Sequence, residues 1–117
     1  MRKIFHLATC STCLRIIKEL NLEQHNFEFQ NIKEKNVSAD ELDAMKAQVG
    51  SFEALFSRRA MKYRSMGLAE KKLMEDDYRS LILEEYTFLK RPVIWIDDEL
   101  YVGSVKKNIA KAKEQLG

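Results

Sequence analysis

Residues 9–14 read TCSTCL and hold both cysteines of the chain, Cys10 and Cys13, with two small hydroxyl residues between them. Upstream, residues 3–8 (KIFHLA) form a short apolar run; downstream, Leu14, Ile17 and Leu20 recur at helical spacing. The stretch marks a strand giving way to a helix. Cys10 falls at the junction, beside the unpaired N–H groups of a first helical turn, and Cys13 lies one turn further along the same face. A C-x-x-C pair in that position can bind a metal, bridge two parts of a fold or carry electrons.

The surrounding segments narrow the fold. In residues 25–32 (HNFEFQNI) alternation puts Phe27 and Phe29 on one face of a second strand. Strand, helix and strand within about thirty residues make a βαβ unit, so the two strands are expected to be parallel. Ser38 followed by Glu41 is a capping-box pair that opens a helix to about Gln48, and Gly50 ends it. Residues 51–74 read as mostly helical, with a break near Gly67. Tyr78, Leu81, Ile82 and Leu89 mark a face of another helix, with Asp76 and Asp77 suited to its positive end. In residues 90–103 (KRPVIWIDDELYVG), Val93–Ile96 reads as a buried strand, 97–99 as a turn and 100–102 as an antiparallel partner. Val105, Ile109, Ala112 and Leu116 then make a closing amphipathic helix. This order, βαβ, a helical block and ββα, is that of an α/β protein with a thioredoxin-like fold. It predicts a central mixed sheet in a single domain over residues 1–117, with a helical insertion at about 37–75.

With 45% hydrophobic and 32% charged residues, one proline and four glycines, the chain is globular and neither disordered nor collagen-like. The apolar run from Ile4 to Ala8 is too short for a signal-peptide core or a membrane span, so a cytoplasmic protein without membrane contact is expected. Thiols are kept reduced there, which favours a redox or metal-binding role for the cysteines over a permanent bridge. Zinc needs about four ligands, and this chain adds only His6 and His25 to one C-x-x-C, neither at finger spacing, so no metal is expected. His6 alternates within the first strand and reads as a strand residue with a local partner. The net charge of +2 comes from Lys and Arg interspersed with Asp and Glu, which argues against direct nucleic-acid binding. A monomer is expected.

Cys10 is the candidate nucleophile, because a thiolate at a helix N-terminus is favoured by oriented N–H donors; its pKa should fall below the free value of about 8.5. Cys13 is the candidate resolving thiol, with a buried bystander as its alternative. Pro92, the one proline, begins the third strand, where a thioredoxin-like sheet carries a cis-proline beside the cysteine motif. Arg91 directly precedes it and is a candidate to stabilise a thiolate or an oxyanion. Among the basic residues of SRRAMKYRSMG (57–67), Lys62 and Arg64 read as a solvated helix face.

CSTC at 10–13, GSFEALFSRRAMKYRSMGL at 50–68, LKRPVIWID at 89–97 and YVG at 101–103 together resemble the Spx/ArsC (arsenate reductase-like) branch of the thioredoxin superfamily, over essentially the whole chain. The resemblance implies a thiol-dependent oxidoreductase in which Cys10 is the nucleophile and three arginines bind an oxyanion. Arg91 matches the arginine before the proline, and Arg59, or else Arg58, matches that of the insert. Thr9, Ser11 and Thr12 flank Cys10 and join Pro92 in the implied substrate loop. Where the third arginine is expected the chain has Gly103 and Ser104. Losing one charge-assisted anion contact removes about 1.5–3 kcal/mol, so arsenate reduction is expected to be weak. No bound cofactor is implied, with glutathione as a co-substrate and glutaredoxin or thioredoxin as electron donors. The Spx branch implies an alternative: a redox-switched transcriptional regulator that binds the C-terminal domain of the RNA polymerase α subunit.

Overall fold

The computed structural model describes residues 1–117 and divides into two compact units, one of residues 1–35 with 91–117, the other of residues 36–90. The first unit carries strands β1 (Arg2–His6), β2 (Glu28–Asn31), β3 (Val93–Ile96) and β4 (Glu99–Val102), with helices α1 (Ser11–Glu19) and α5 (Lys106–Leu116). Its sheet is mixed, in the order β2-β1-β3-β4. β1 and β2 run parallel with Ile4 beside Phe29, as the βαβ reading requires, and β3 is antiparallel to both β1 and β4. The predicted thioredoxin-like arrangement of βαβ followed by ββα is therefore present.

Side-chain alternation sets the core of this unit. Ile4, Ile94 and Ile96 point to one sheet face and pack with Ile16, Ile17 and Leu20 of α1 and Ile109 and Ala112 of α5. The buried stripe of α1 is Cys13, Ile16, Ile17 and Leu20, a helical i, i+3, i+4, i+7 series. Leu14, expected on that stripe, is instead 50% exposed, because a helix that buries Cys13 turns its neighbour outward. β2 departs in a similar way. Phe27 packs on the core just before the strand begins, whereas Phe29 is exposed and the strand buries Gln30, whose amide donates to the Lys35 carbonyl at 2.9 Å. An edge strand has a neighbour on one side only, and simple alternation does not report which of its residues that neighbour covers. The β3–β4 turn places Asp97 in the left-handed region, at φ 55°, and β4 begins one residue earlier than its apolar pattern suggested.

The second unit holds α2 (Ala39–Val49), α3 (Met61–Ser65) and α4 (Glu75–Glu84). The capping box of α2 is formed: the Glu41 N–H donates to Ser38 Oγ at 3.1 Å, and the Ser38 N–H donates to the Glu41 carboxylate at 2.9 Å. Gly50 closes the helix at φ 95°, a conformation glycine adopts without a Cβ clash. Residues 51–74 are less helical than expected, with two 3₁₀ turns around the single short helix α3. Leu89 is buried but lies beyond the end of α4. The predicted insertion falls inside this unit, which continues to Lys90. Phe56 centres its packing, stacked on Phe88 at 5.0 Å and tilted against Tyr78 at 4.9 Å.

Glu75, the first residue of α4, ties this unit together at a distance in sequence. Its carboxylate accepts the backbone N–H groups of Phe52 at 2.7 Å and Glu53 at 3.1 Å, at the start of a 3₁₀ turn. Such a carboxylate acts as a helix cap supplied from another element. Glu75→Ala should therefore lower unfolding free energy by about 1–2 kcal/mol in urea titration, and Glu75→Gln by about half that. A Glu75→Ala protein as stable as wild type would show that water satisfies both N–H groups equally well.

Candidate functional site

The end of β1 and the start of β3 lie side by side, since Phe5 pairs with Val93. The chain leaves β1 through Leu7, whose carbonyl accepts the Cys10 N–H at 2.9 Å, and Cys10 then adopts an extended conformation as the N-cap of α1. Its carbonyl takes the Leu14 N–H at 3.1 Å, so the helix starts directly after the thiol. No acidic residue occupies the first turn of α1. On the other strand the Arg91–Pro92 peptide bond is cis and Pro92 is buried.

Cys10, Cys13, Thr12 and Arg91 come together here. The half-buried Cys10 sulfur accepts from the backbone N–H of Cys13, the Cys13 thiol, the Arg91 side chain and the backbone N–H of Thr12. Partial burial works against its ionisation, but these donors outweigh it and hold the Cys10 thiol below its ordinary pKa. Cys13 sits in the opposite environment. It is fully buried, and burial first, then its hydrogen bond to Cys10 and the charge there, push it up to about 11, although the Leu7 backbone and Arg91 pull the other way. Two thiols of one motif are thus shifted in opposite directions, Cys10 down by its donors and Cys13 up by burial.

The other residues singled out from the sequence divide. Thr9 and Ser11 are exposed beside Cys10, and Thr12 contributes through its backbone. Arg58 and Arg59 belong to the second unit and differ from each other. Arg58 is committed: it donates to Glu53 at 2.6 Å and to the Tyr78 hydroxyl at 3.1 Å. Arg59 is exposed and makes no ion pair. Both line a cleft of about 660 Å³ within that unit, together with Met61, Tyr63 and Arg64. Lys62, read as part of a solvated face, bridges to Glu85 at 2.8 Å.

Gly103 has φ 88°, and its N–H donates to the Pro92 carbonyl at 2.9 Å. A Cβ built there meets nothing within 4 Å. Backbone conformation rather than crowding therefore disfavours a side chain at 103, and an arginine fits the neighbouring Ser104 with less strain. His6 ends β1 as a strand residue with a local partner: its ring makes an edge contact with Phe29, centroids 5.9 Å apart, while its Nδ1 is buried and unbonded. Burial lowers its pKa, with Glu34 opposing. Sequence reasoning passed over Asn108, whose amide donates to the carbonyls of Val102 and Gly103. An asparagine near a helix start gives no sign of where it reaches.

A C-x-x-C thiol at the start of the helix after β1, touched by the residue preceding a cis-proline, defines a thioredoxin-like protein. Its family follows from sequence: the model of the ArsC family matches residues 5–112, and the chain belongs to that family. No match was found among the curated proteins. Among solved structures, the arsenate reductase from Vibrio cholerae is similar at 18% identity and a TM-score of 0.79, covering 94% of this chain and 95% of its own. A Staphylococcus aureus protein is 24% identical with a TM-score of 0.77, covering 95% of this chain and 97% of its own. An arsenate reductase related protein from Brucella melitensis is also 24% identical, with a TM-score of 0.65 and coverages of 94% and 92%. At these identities the structures are alike in fold.

The donors around Cys10 make a direct prediction. Cys13→Ala removes the thiol that donates to Cys10, whereas Cys13→Ser keeps an O–H donor, so the alkylation midpoint of Cys10 should lie higher in Cys13→Ala than in Cys13→Ser. The lone Cys13 of Cys10→Ser should stay unreactive with iodoacetamide until well above pH 9, since burial, the first cause of its rise, is retained. Equal midpoints in the two Cys13 variants would remove the Cys13 thiol from the account of Cys10.

Proposed function

We propose that the chain is a thiol-dependent reductase in which Cys10 is the nucleophile, Cys13 the resolving thiol and Arg91 the stabiliser of charge on Cys10. The supporting observation is the pair of opposite thiol environments: Cys10 lowered by its donors, Cys13 raised to about 11 by burial. The Cys10 thiolate attacks one sulfur of a substrate disulfide, forming a mixed disulfide and displacing the other sulfur as a thiolate that takes a proton from water. Cys13 then loses its proton and attacks the Cys10 sulfur. This closes the Cys10–Cys13 disulfide and releases the second substrate thiol. Two electrons have passed from the protein dithiol to the substrate, and two glutathione molecules, or the dithiol of a glutaredoxin or thioredoxin, return them in the reducing cytoplasm.

Arg91 supports this reading because a guanidinium beside sulfur stabilises a thiolate both as attacker and as leaving group. Pro92, with Thr9, Ser11 and Thr12, would border the approaching disulfide. Of the two insert arginines the resemblance offers, Arg58 is already paired with Glu53, which leaves Arg59 as the one without an ion pair.

Reduction of a small disulfide by wild-type protein, supplied with glutathione, should be catalytic. Cys10→Ser should abolish it, and Cys13→Ser should instead accumulate a mixed disulfide on Cys10, visible by mass spectrometry. Formation of the internal disulfide without turnover, whichever thiol donor is supplied, would replace the reductase with the Spx-like redox switch; retention of the RNA polymerase α subunit by only one redox form would then give that switch its partner.

Arsenate should be a poor substrate, since Gly103 and Ser104 stand where the family resemblance implies a third arginine. Ser104→Arg should raise arsenate turnover by roughly tenfold or more, the effect of one charge-assisted contact of about 1.5–3 kcal/mol. Wild type that already matches Ser104→Arg would make the missing arginine irrelevant.

A further inference from the structure

Asn108 is the third residue of α5, and its side-chain Nδ2 donates to two consecutive carbonyls, Val102 at 3.1 Å and Gly103 at 3.2 Å. Gly103 donates its N–H to the Pro92 carbonyl at 2.9 Å. Pro92 is joined through the cis bond to Arg91, whose side chain reaches the Cys10 sulfur. We propose that Asn108 is a positioning residue for the thiol site: it holds the Val102–Gly103 turn on Pro92 and so keeps Arg91 on Cys10. This rests on the reading of Arg91 as the partner of Cys10 and adds the element that fixes it there.

The turn depends on such an anchor for three reasons. β4 is an edge strand, paired only with β3. Gly103 carries no side chain, and the space where one would stand is empty to 4 Å, so no packing at position 103 holds the turn. Val105, the N-cap of α5, makes no side-chain hydrogen bond, so the helix start is not fixed by a conventional cap. A single carboxamide spans this gap by supplying both of its N–H donors to adjacent carbonyls. Because asparagine is uncharged, its removal changes no local charge, and any response of Cys10 must travel through geometry.

The test follows iodoacetamide alkylation of Cys10 against pH in the full chain, by mass spectrometry of the Cys10 peptide, in wild type, Asn108→Ala, Arg91→Ala and the double variant. Asn108→Ala should move the midpoint upward and slow alkylation at pH 7 by roughly threefold, and Arg91→Ala should do so by more. The double variant should match Arg91→Ala alone, because an effect carried through Arg91 vanishes with it. Asn108→Gln, which keeps the carboxamide one methylene further out, should fall between wild type and Asn108→Ala; if Asn108→Ala does not fold, Asn108→Gln takes its place in the cycle with the same expectation.

A lower melting temperature with an unchanged Cys10 profile would reduce Asn108 to a structural residue and overturn the proposal, as would additive effects in the double variant. An unchanged profile in Arg91→Ala would remove Arg91 from the site and the positioning role with it. If Arg91→Ala shifts the profile and the Asn108 variants do not, only the positioning role falls.

Discussion

Antiparallel pairing of β1 with β3, Phe5 beside Val93, is the constraint on which the thiol site depends. Running in opposite directions, the two strands bring the exit of β1 and the approach to β3 to one end of the sheet. The first delivers Cys10 and the second delivers Arg91 and Pro92. Register matters as much as direction. A slip of one residue would turn Ile4, Ile94 and Ile96 away from α1 and α5, so burial of the apolar face also fixes the thiol against its cation. Core packing and site geometry are two outcomes of the same pairing.

Within that frame the motif draws its chemistry from contrast. Residues three apart in sequence share one turn of helix, yet Cys10 faces donors at the helix start while Cys13 is fully buried. Desolvation acts on both and prevails on only one, because the donors gathered around Cys10 exceed those available to Cys13. No metal or bound group is needed for the difference. Helix geometry, one arginine and the depth of the second residue account for it.

Much of this could be read from the sequence where a signal was local. C-x-x-C after a short apolar run gave the strand-to-helix junction, Ser38 and Glu41 gave a capping box, and the proline after Arg91 marked the β3 boundary and its cis bond. Legibility ended where neighbours decide. Leu14 and Phe29 look like core residues by composition and spacing, but the depth of Cys13 rotates one outward and the sheet edge exposes the other. The difference between Arg58 and Arg59 lies in Glu53 and Tyr78, and no pattern within SRRAMKYRSMG shows which arginine those two residues engage. The Asn108 contacts are likewise long-range in their consequences and leave no mark in the sequence.

The division of the chain into a continuous unit of residues 36–90 and a discontinuous one flanking it has a kinetic meaning. β1 cannot meet β3 until the whole intervening stretch is gathered in, and the loop-closure entropy of that stretch must be met before any sheet contact repays it. The inserted unit can organise from nearer contacts, such as the bond from the Lys90 N–H to the Leu55 carbonyl and that from the Asn36 amide to the Ile82 carbonyl near its two ends. Ordering it first shortens the effective distance between the halves of the sheet. The thiol site is assembled from both halves, so Cys10 meets the arginine that helps distinguish it from Cys13 only once β1 and β3 have paired across that gap.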